Sequence, residues 1–140
     1  MLDKTGYPGL KILQFAFDGK NSDYLPHNHI KNCVVYTGTH DNDTTCGWYK
    51  TASKQAKKTF SEYFESVKSE NPQDILIRSA FASCADTVII PMQDYLGLDS
   101  NARMNTPSTL GGNWEWRIDS KLLNATLSDK ILHLTQIYCR

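Results

Sequence analysis

The stretch CVVYTGTHDNDT, residues 33–44, decides the fold because it joins a β-strand pattern directly to a dense polar run. Its first part, from Cys33 to Thr39, is rich in the β-branched and aromatic residues that favour strands. His40 and Asp41 follow at once. In parallel α/β proteins the working side chains gather at the carboxyl ends of strands. The stretch therefore predicts a parallel sheet with a site at the end of this strand.

The same arrangement occurs on either side of this stretch. Residues 10–17, LKILQFAF, form a largely apolar run that ends at Asp18, and they predict a strand buried on both faces. Residues 87–91, TVIIP, predict a third strand, which is followed by Gln93 and Asp94. A sheet of only three parallel strands leaves two long edges unpaired. We therefore expect either upstream residues or a partner to complete it.

Helical patterns separate and follow these strands. Apolar residues fall at helical spacing in residues 53–67, and Asn71-Pro72 predicts the start of a second helix, because proline is favoured at the first helical position. A last helix is predicted over residues 120–138. Its expected inward-facing residues are Leu122, Leu123, Leu127, Ile131, Leu134 and Ile137. Strands that alternate with helices predict βαβ units.

Composition excludes several classes of protein. The 140 residues suit one domain, and 15 basic side chains are balanced by 15 acidic ones. A nucleic-acid partner is not expected, since a basic excess normally neutralises phosphates. No apolar run approaches the ~18 residues of a membrane span. The N-terminus lacks the pattern of a secretory signal, so we expect a cytoplasmic protein, or a plastid one in a plant. The four cysteines form no C-x-x-C pair and are expected to be free thiols.

Three interpretations of the His40-Asp41 pair remain open on local grounds. It is a polar strand cap or Asx-turn, a group that grips sugar hydroxyls or orients a base, or part of a metal site with His27 and His29. The spacing of these residues matches no metal signature, so no metal is predicted.

The stretch YTGTHDNDTT, residues 36–45, resembles the segment that carries the third catalytic aspartate in amylomaltases, which are 4-α-glucanotransferases also called disproportionating enzymes. Further motifs resemble this family in the same order along the chain. They are GYPGLK (6–11), LQFAFD (13–18), YLPHN (24–28), GWY (47–49), DTVIIP (86–91), ARMNTP (102–107) and GNWEWR (112–117). One departure is Ser108, where the family usually has glycine.

The resemblance implies an α/β fold, the C-terminal part (strands six to eight) of a (β/α)8 barrel, in which residues 1–140 form a segment of the catalytic barrel without a second domain. It also implies retaining transfer of α-1,4-glucan segments between maltodextrin chains, with neither cofactor nor metal. The nucleophilic aspartate and the acid/base glutamate of the family lie upstream of this segment. A missing N-terminal part of the barrel, or self-association, is the protein partner that this implies.

The resemblance also implies roles for particular residues. Asp41 corresponds to the third acid, which grips donor-sugar hydroxyls and favours the positively charged transition state. His40 would donate a hydrogen bond to the same sugar. Phe15 and Asp18 would line the acceptor side of the glucan groove, and Asn105 lies in a loop that resembles a substrate-contacting one.

Alternatives stay open for several aromatic residues and for the activity. Phe15 and Phe17 would share one face of a strand and could pack in the core. Trp114 and Trp116 are predicted to pack rather than stack on glucose rings. The alternative functions are a truncated, inactive glucan-binding remnant of the family, and a glucan-hydrolysing relative that differs in water access.

Overall fold

The computed structural model describes residues 2–19, 21–65 and 70–140. The described residues form one sheet of three parallel strands in the order β1-β2-β3: β1 (Gly9–Ile12), β2 (Cys33–Tyr36) and β3 (Thr87–Ile89). They also form six α-helices: α1 (Leu2–Thr5), α2 (Thr45–Thr51), α3 (Lys54–Tyr63), α4 (Pro72–Ala82), α5 (Met92–Tyr95) and α6 (Ala125–Ile137). Short 3-10 helices cover Leu13–Phe17, Pro26–Asn28, Ser100–Ala102 and Ser120–Leu122.

The two faces of the sheet have different surroundings. Val35 lies between Lys11 and Val88 in the strand register, is fully buried and packs in the main core. The next row, Ile12-Tyr36-Ile89, points to the opposite face, because successive residues of a strand alternate between faces. On that face Leu10 is 51% exposed and Ile89 is 44% exposed. One face of the sheet is therefore covered by helices, and the other is largely open.

The core on the covered face is aromatic. Phe17 has no exposed surface, and its ring centroid lies 5.0 Å from that of Phe60 and 5.9 Å from that of Trp48. Helix α3 begins at the N-cap Ser53, whose side chain accepts a hydrogen bond from the Ala56 amide, and this start directs Phe60 inward. Helix α4 begins at Pro72 as predicted, and its residues Ile75, Ile77, Ala80 and Phe81 are all buried.

The predicted strand over residues 10–17 is wrong beyond Ile12. Residues Leu13–Phe17 form a 3-10 helix in which Leu13, Gln14, Ala16 and Phe17 are all buried. Leu13, Ala16 and Phe17 pack in one core cluster, whereas a strand would turn Leu13 and Phe17 to one face and Ala16 to the other. Phe15 and Phe17 therefore do not share a face, since Phe15 is 43% exposed and Phe17 is buried. The other two predicted strands are shorter than expected and end at Tyr36 and Ile89.

The predicted helices also differ in part from the structure. Helix α2 was not predicted, and the helix expected over residues 53–67 ends at Tyr63, while Val67 lies outside the described residues. The last helix is α6 preceded by a separate 3-10 turn. Of the six residues expected to face inward, only Leu134 is buried, against Ile77 and Phe81. This helix packs on α4 along a narrow contact, and the rest of its apolar surface is not covered by the described residues.

The structure bears on two expectations from composition. Within the described ranges, no helix combines the length and the hydropathy that crossing a bilayer requires. Cys33, Cys46, Cys84 and Cys139 are free thiols, as predicted.

The open sheet predicts the behaviour of the isolated chain. We expect the purified 140-residue chain to self-associate, because Leu10 and Ile89 expose apolar surface on an open face and β1 and β3 are edge strands in the described sheet. Size-exclusion chromatography with light scattering should show dimers or larger species, with binding of a hydrophobic dye.

A matched pair of variants identifies the responsible surface. Leu10→Lys combined with Ile89→Lys should reduce the association, because charges on the open face oppose burial. Leu110→Lys should not, since Leu110 is fully exposed in a loop outside the sheet. A compact wild-type monomer with one sharp melting transition would contradict this prediction.

Candidate active site

A cavity of about 820 Å³ opens at the carboxyl ends of the three strands. Its floor is the open apolar face of the sheet, with Leu10, Ile12 and Ile89. His40 and Asp41, from the loop after β2, line its mouth. The cavity thus combines an apolar floor with a polar rim, as small-molecule and sugar sites commonly do.

The loop after β2 is shaped by an asparagine side chain. Asn42 Oδ1 accepts hydrogen bonds from the Thr39 amide at 3.0 Å and from Thr39 Oγ1 at 2.8 Å. The Asn42 amide donates back to the Thr39 carbonyl at 3.1 Å. Asn42 thus closes the turn by binding back to Thr39, which differs from an Asx-turn, where the side chain binds the amide two residues further on. The side chains of His40 and Asp41 stay at the tip of this turn, 55% and 50% exposed.

Asp41 meets a residue from the loop that follows β3. Asn105 Nδ2 donates to Asp41 Oδ1 at 2.6 Å, and His40 Nε2 lies 3.4 Å from the same oxygen. The backbone N–H of Asn105 also donates to the His40 carbonyl at 3.1 Å. Three of the predicted site residues thus form one cluster, and its carboxylate already has an amide partner that orients it.

The other residues considered from the sequence, Phe15, Asp18 and Trp114, differ in whether they line the cavity. Phe15 lines the cavity, and its ring packs edge-to-face on that of Tyr24, with 5.6 Å between the ring centroids. Asp18 is exposed and does not contribute to the cavity lining. Its contact with a sugar stays a prediction. Trp114 also lines the cavity, is 54% exposed and lies with its ring centroid 5.0 Å from that of His40, which disfavours the predicted packing role.

A buried carboxylate supports the site from below. Asp94 is 1% exposed and accepts hydrogen bonds from Thr37 Oγ1 at 2.5 Å, the Thr45 amide at 2.7 Å and Thr45 Oγ1 at 2.9 Å. Burial raises the pKa of this carboxyl group, and the bonds from Thr37 and Thr45 act in the opposite direction. Asp94 thereby ties the end of β3 to the segments on either side of the Asp41 loop.

Asp43, two residues after Asp41, has a structural role. Its carboxylate accepts from Ser100 Oγ at 2.7 Å and from the Thr44 amide at 2.8 Å. A Cβ on Gly47 would collide with both Ser100 Oγ and the Asp43 carboxylate, so the close approach of α2 to this pair requires glycine there.

The histidines named as possible metal ligands have other partners. His27 Nδ1 lies 3.0 Å from the Tyr63 hydroxyl, and His29 Nε2 lies 3.0 Å from the Tyr24 carbonyl. Burial lowers the pKa of His29. In residues 2–19, 21–65 and 70–140, no group of three or more His, Cys, Asp or Glu side chains is arranged to hold a metal ion.

Comparison with known proteins agrees with this geometry. A family model described as 4-alpha-glucanotransferase matches residues 1–123. The chain belongs to the 4-alpha-glucanotransferase family. The 4-alpha-glucanotransferase of Clostridium butyricum is 50% identical over 139 residues, which are 98% of this chain and 28% of that protein. The chloroplastic/amyloplastic 4-alpha-glucanotransferase of Arabidopsis thaliana is 48% identical over 139 residues, 96% of this chain and 24% of that protein.

A solved structure matches over the same extent. The amylomaltase from Streptococcus agalactiae in complex with acarbose is 36% identical, with a TM-score of 0.93 over 99% of this chain and 28% of that protein. This likeness, with the parallel sheet, confirms the predicted fold class of an α/β segment of a (β/α)8 barrel. The chain spans about a quarter of the length of the relatives it matches.

The backbone of Ser108, where the resemblance leads us to expect glycine, is strained. Ser108 has a φ of 64°, in the left-handed region that favours glycine. That conformation destabilises a non-glycine residue by roughly 1–2 kcal/mol, while glycine adds roughly 0.5–1 kcal/mol of backbone entropy loss on folding. We expect Ser108→Gly to raise the free energy of unfolding by about 0.5–1 kcal/mol in chemical denaturation. Ser79→Gly, inside α4, should lower it by a similar amount, and equal effects of the two changes would contradict the strain argument.

Two further residues of this family member were missed from the sequence. The sequence predicts Asp94 only as a polar residue after a strand, because nothing local pairs it with Thr37 and Thr45, 57 and 49 residues earlier in the chain. The motif ARMNTP predicts no role for Arg103, whereas the structure shows that Arg103 contacts both loops of the site.

Proposed function

We propose that this chain is the C-terminal part of a 4-α-glucanotransferase that transfers α-1,4-glucan segments between maltodextrin chains with retention of configuration. The observation that carries the proposal is the 2.6 Å hydrogen bond between Asn105 and Asp41 at the mouth of the cavity. It places a half-exposed carboxylate and an amide, both good partners for sugar hydroxyls, over an apolar floor.

Asp41 acts on the transition state in this proposal. Glycosyl transfer develops positive charge on the sugar ring, and a nearby carboxylate stabilises that charge while it accepts hydrogen bonds from hydroxyls of the same sugar. Asn105 donates a hydrogen bond to Oδ1 of Asp41, so Oδ2 is oriented before the substrate binds. The His40 side chain, 3.4 Å away, supplies a hydrogen bond to the donor sugar.

The nucleophile and the acid/base are carboxylates that the rest of the barrel supplies. The nucleophile attacks the anomeric carbon and displaces the glucan leaving group, whose oxygen the acid/base protonates. The acid/base then deprotonates the acceptor hydroxyl, which attacks the anomeric carbon and displaces the nucleophile. The chemistry calls for no cofactor and no metal. Phe15 and Asp18 contact the acceptor glucan. The complex of the amylomaltase from Streptococcus agalactiae with acarbose supports an oligosaccharide as the kind of ligand that this protein binds.

The proposal includes the organisation and location of the protein. Residues 1–140 are one segment of the catalytic barrel, at strands six to eight, and the upstream part of the barrel is the partner that covers the open sheet face. The protein acts in the cytoplasm, or in a plastid if its source is a plant, as the name of the Arabidopsis thaliana relative suggests for that case.

A second candidate is a truncated remnant that binds glucan without turning it over. The cavity and the Asp41–Asn105 pair favour this candidate, because they can bind sugar hydroxyls without a nucleophile.

A chimera tests the proposal. In it, this chain replaces the matching segment of the Clostridium butyricum protein. Incubation with maltotriose should yield glucose and longer maltodextrins, as with the unmodified relative as a positive control. A folded chimera that binds maltoheptaose but transfers nothing would support the remnant, and one that neither binds nor transfers would refute both.

A further inference from the structure

Arg103 joins the two loops that form the site. It follows the 3-10 helix Ser100–Ala102, is half-buried and lines the cavity. Its Nη2 donates to the Asp41 carbonyl at 2.7 Å, and its Nε donates to the Asn105 carbonyl at 2.8 Å. One guanidinium therefore holds the backbones of the same two residues whose side chains are hydrogen-bonded to each other.

We propose that Arg103 is a positioning residue that sets the placement of the Asp41 carboxylate relative to the side-chain amide of Asn105. The inference rests on the proposed function, in which that pair contacts the donor sugar. Arg103 itself acts through Asp41 and Asn105 and does not take part in the reaction.

The geometry explains why an arginine is needed. The guanidinium is planar and presents its donors in a fixed fork, so bonds from Nε and Nη2 fix both the distance and the angle between two carbonyls. An ammonium group is a single point on a flexible stem and cannot reproduce both bonds in one plane. Besides these bonds, the backbone link between the two loops is the Asn105 amide to the His40 carbonyl at 3.1 Å. Side-chain bonds from Asn105 to Asp41 and from Ser100 to Asp43 also join the loops, but none of these bonds fixes two backbone carbonyls in one plane as the guanidinium does.

A second arginine provides the matched control. Arg140 donates to the carbonyls of Phe81 at 2.8 Å, Ala85 at 2.8 Å and Ser83 at 2.5 Å, near the C-terminal end of α4. It binds backbone carbonyls as Arg103 does, but it does not line the cavity. Replacing Arg140 therefore reports the structural loss that follows from removing such a side chain.

The test compares Arg103→Lys with Arg140→Lys in the chimera on maltotriose. Arg103→Lys should lower kcat by about 10- to 100-fold and change KM less than threefold, because a misplaced carboxylate weakens transition-state contacts more than ground-state ones. Arg140→Lys should leave kcat within twofold.

In an Asn105→Ala background, Arg103→Lys should have less than a threefold further effect on kcat, because the effects of residues that act as a unit are not additive. A kcat within threefold of the parent for Arg103→Lys, or a full additional loss in the Asn105→Ala background, would overturn the proposal.

Hydrogen exchange separates this inference from the proposed function. If the parent chimera is folded but inactive, the proposed function fails. Arg103→Lys should still speed hydrogen exchange at the backbone amide of Asn105 at least tenfold, and Arg140→Lys should not. Unchanged exchange in residues 39–43 and 103–106 would overturn the positioning role whatever the activity. Should Arg103→Lys fail to fold, Arg103→Gln, which keeps one planar donor group, takes its place with the same criteria.

Discussion

Replacing Asp41 with asparagine in the active chimera is expected to lower kcat by on the order of 10²–10³-fold, with a much smaller change in KM. The carboxylate charge matters most where positive charge develops on the sugar ring, so its loss falls on the transition state. The amide of asparagine still fills the same volume and can accept from Asn105 through its oxygen. Steady-state kinetics on maltotriose measure both parameters.

Two further variants make this result specific. His40→Ala should lower kcat by about tenfold, because it removes one hydrogen bond to the donor sugar and leaves the Asp41 carboxylate in place. Asp129→Asn, an exposed carboxylate on α6, should leave both parameters unchanged. Equal and small effects of the Asp41 and His40 changes would show that the pair is only a polar cap of the loop after β2.

The isolated 140-residue chain is expected to show no detectable disproportionation of maltotriose. A retaining transfer forms a covalent intermediate on a nucleophilic carboxylate, and the resemblance places that residue and the acid/base glutamate outside this segment. Removing both eliminates the reaction path rather than slowing one step. Chromatography of the products should show neither glucose nor maltodextrins longer than the substrate.

The chimera serves as the control, since it contains the same 140 residues in an intact barrel. The measurement is made on the soluble fraction, so that loss of protein by association is not mistaken for loss of chemistry. Glucose and longer maltodextrins produced by the purified chain alone would mean that its own carboxylates supply the nucleophile, and the assignment of Asp41 as the third acid would be wrong.

The family, and the elements whose signals are local, could be predicted from the amino-acid sequence. The motif around Asp41 and the ordered motifs on either side of it identified the family that the comparison then showed. Asn71-Pro72 predicted the start of α4, because capping and proline preferences act within one turn. The starts of β2 and β3 were also predicted, since β-branched runs bounded by turn residues need no distant partner to be recognised.

The end of β1 and the contacts between distant side chains depend on tertiary packing and could not be predicted from the sequence. β1 stops at Ile12 because Leu13, Ala16 and Phe17 pack in the same core cluster, whose other members include Ala56 and Phe60 of α3. The contact between Asp41 and Asn105 spans 64 residues. It exists because β2 and β3 pair in parallel with Tyr36 opposite Ile89, which brings the loops after both strands to the same edge of the sheet. No local preference encodes that register, and the site it creates is therefore a property of the fold.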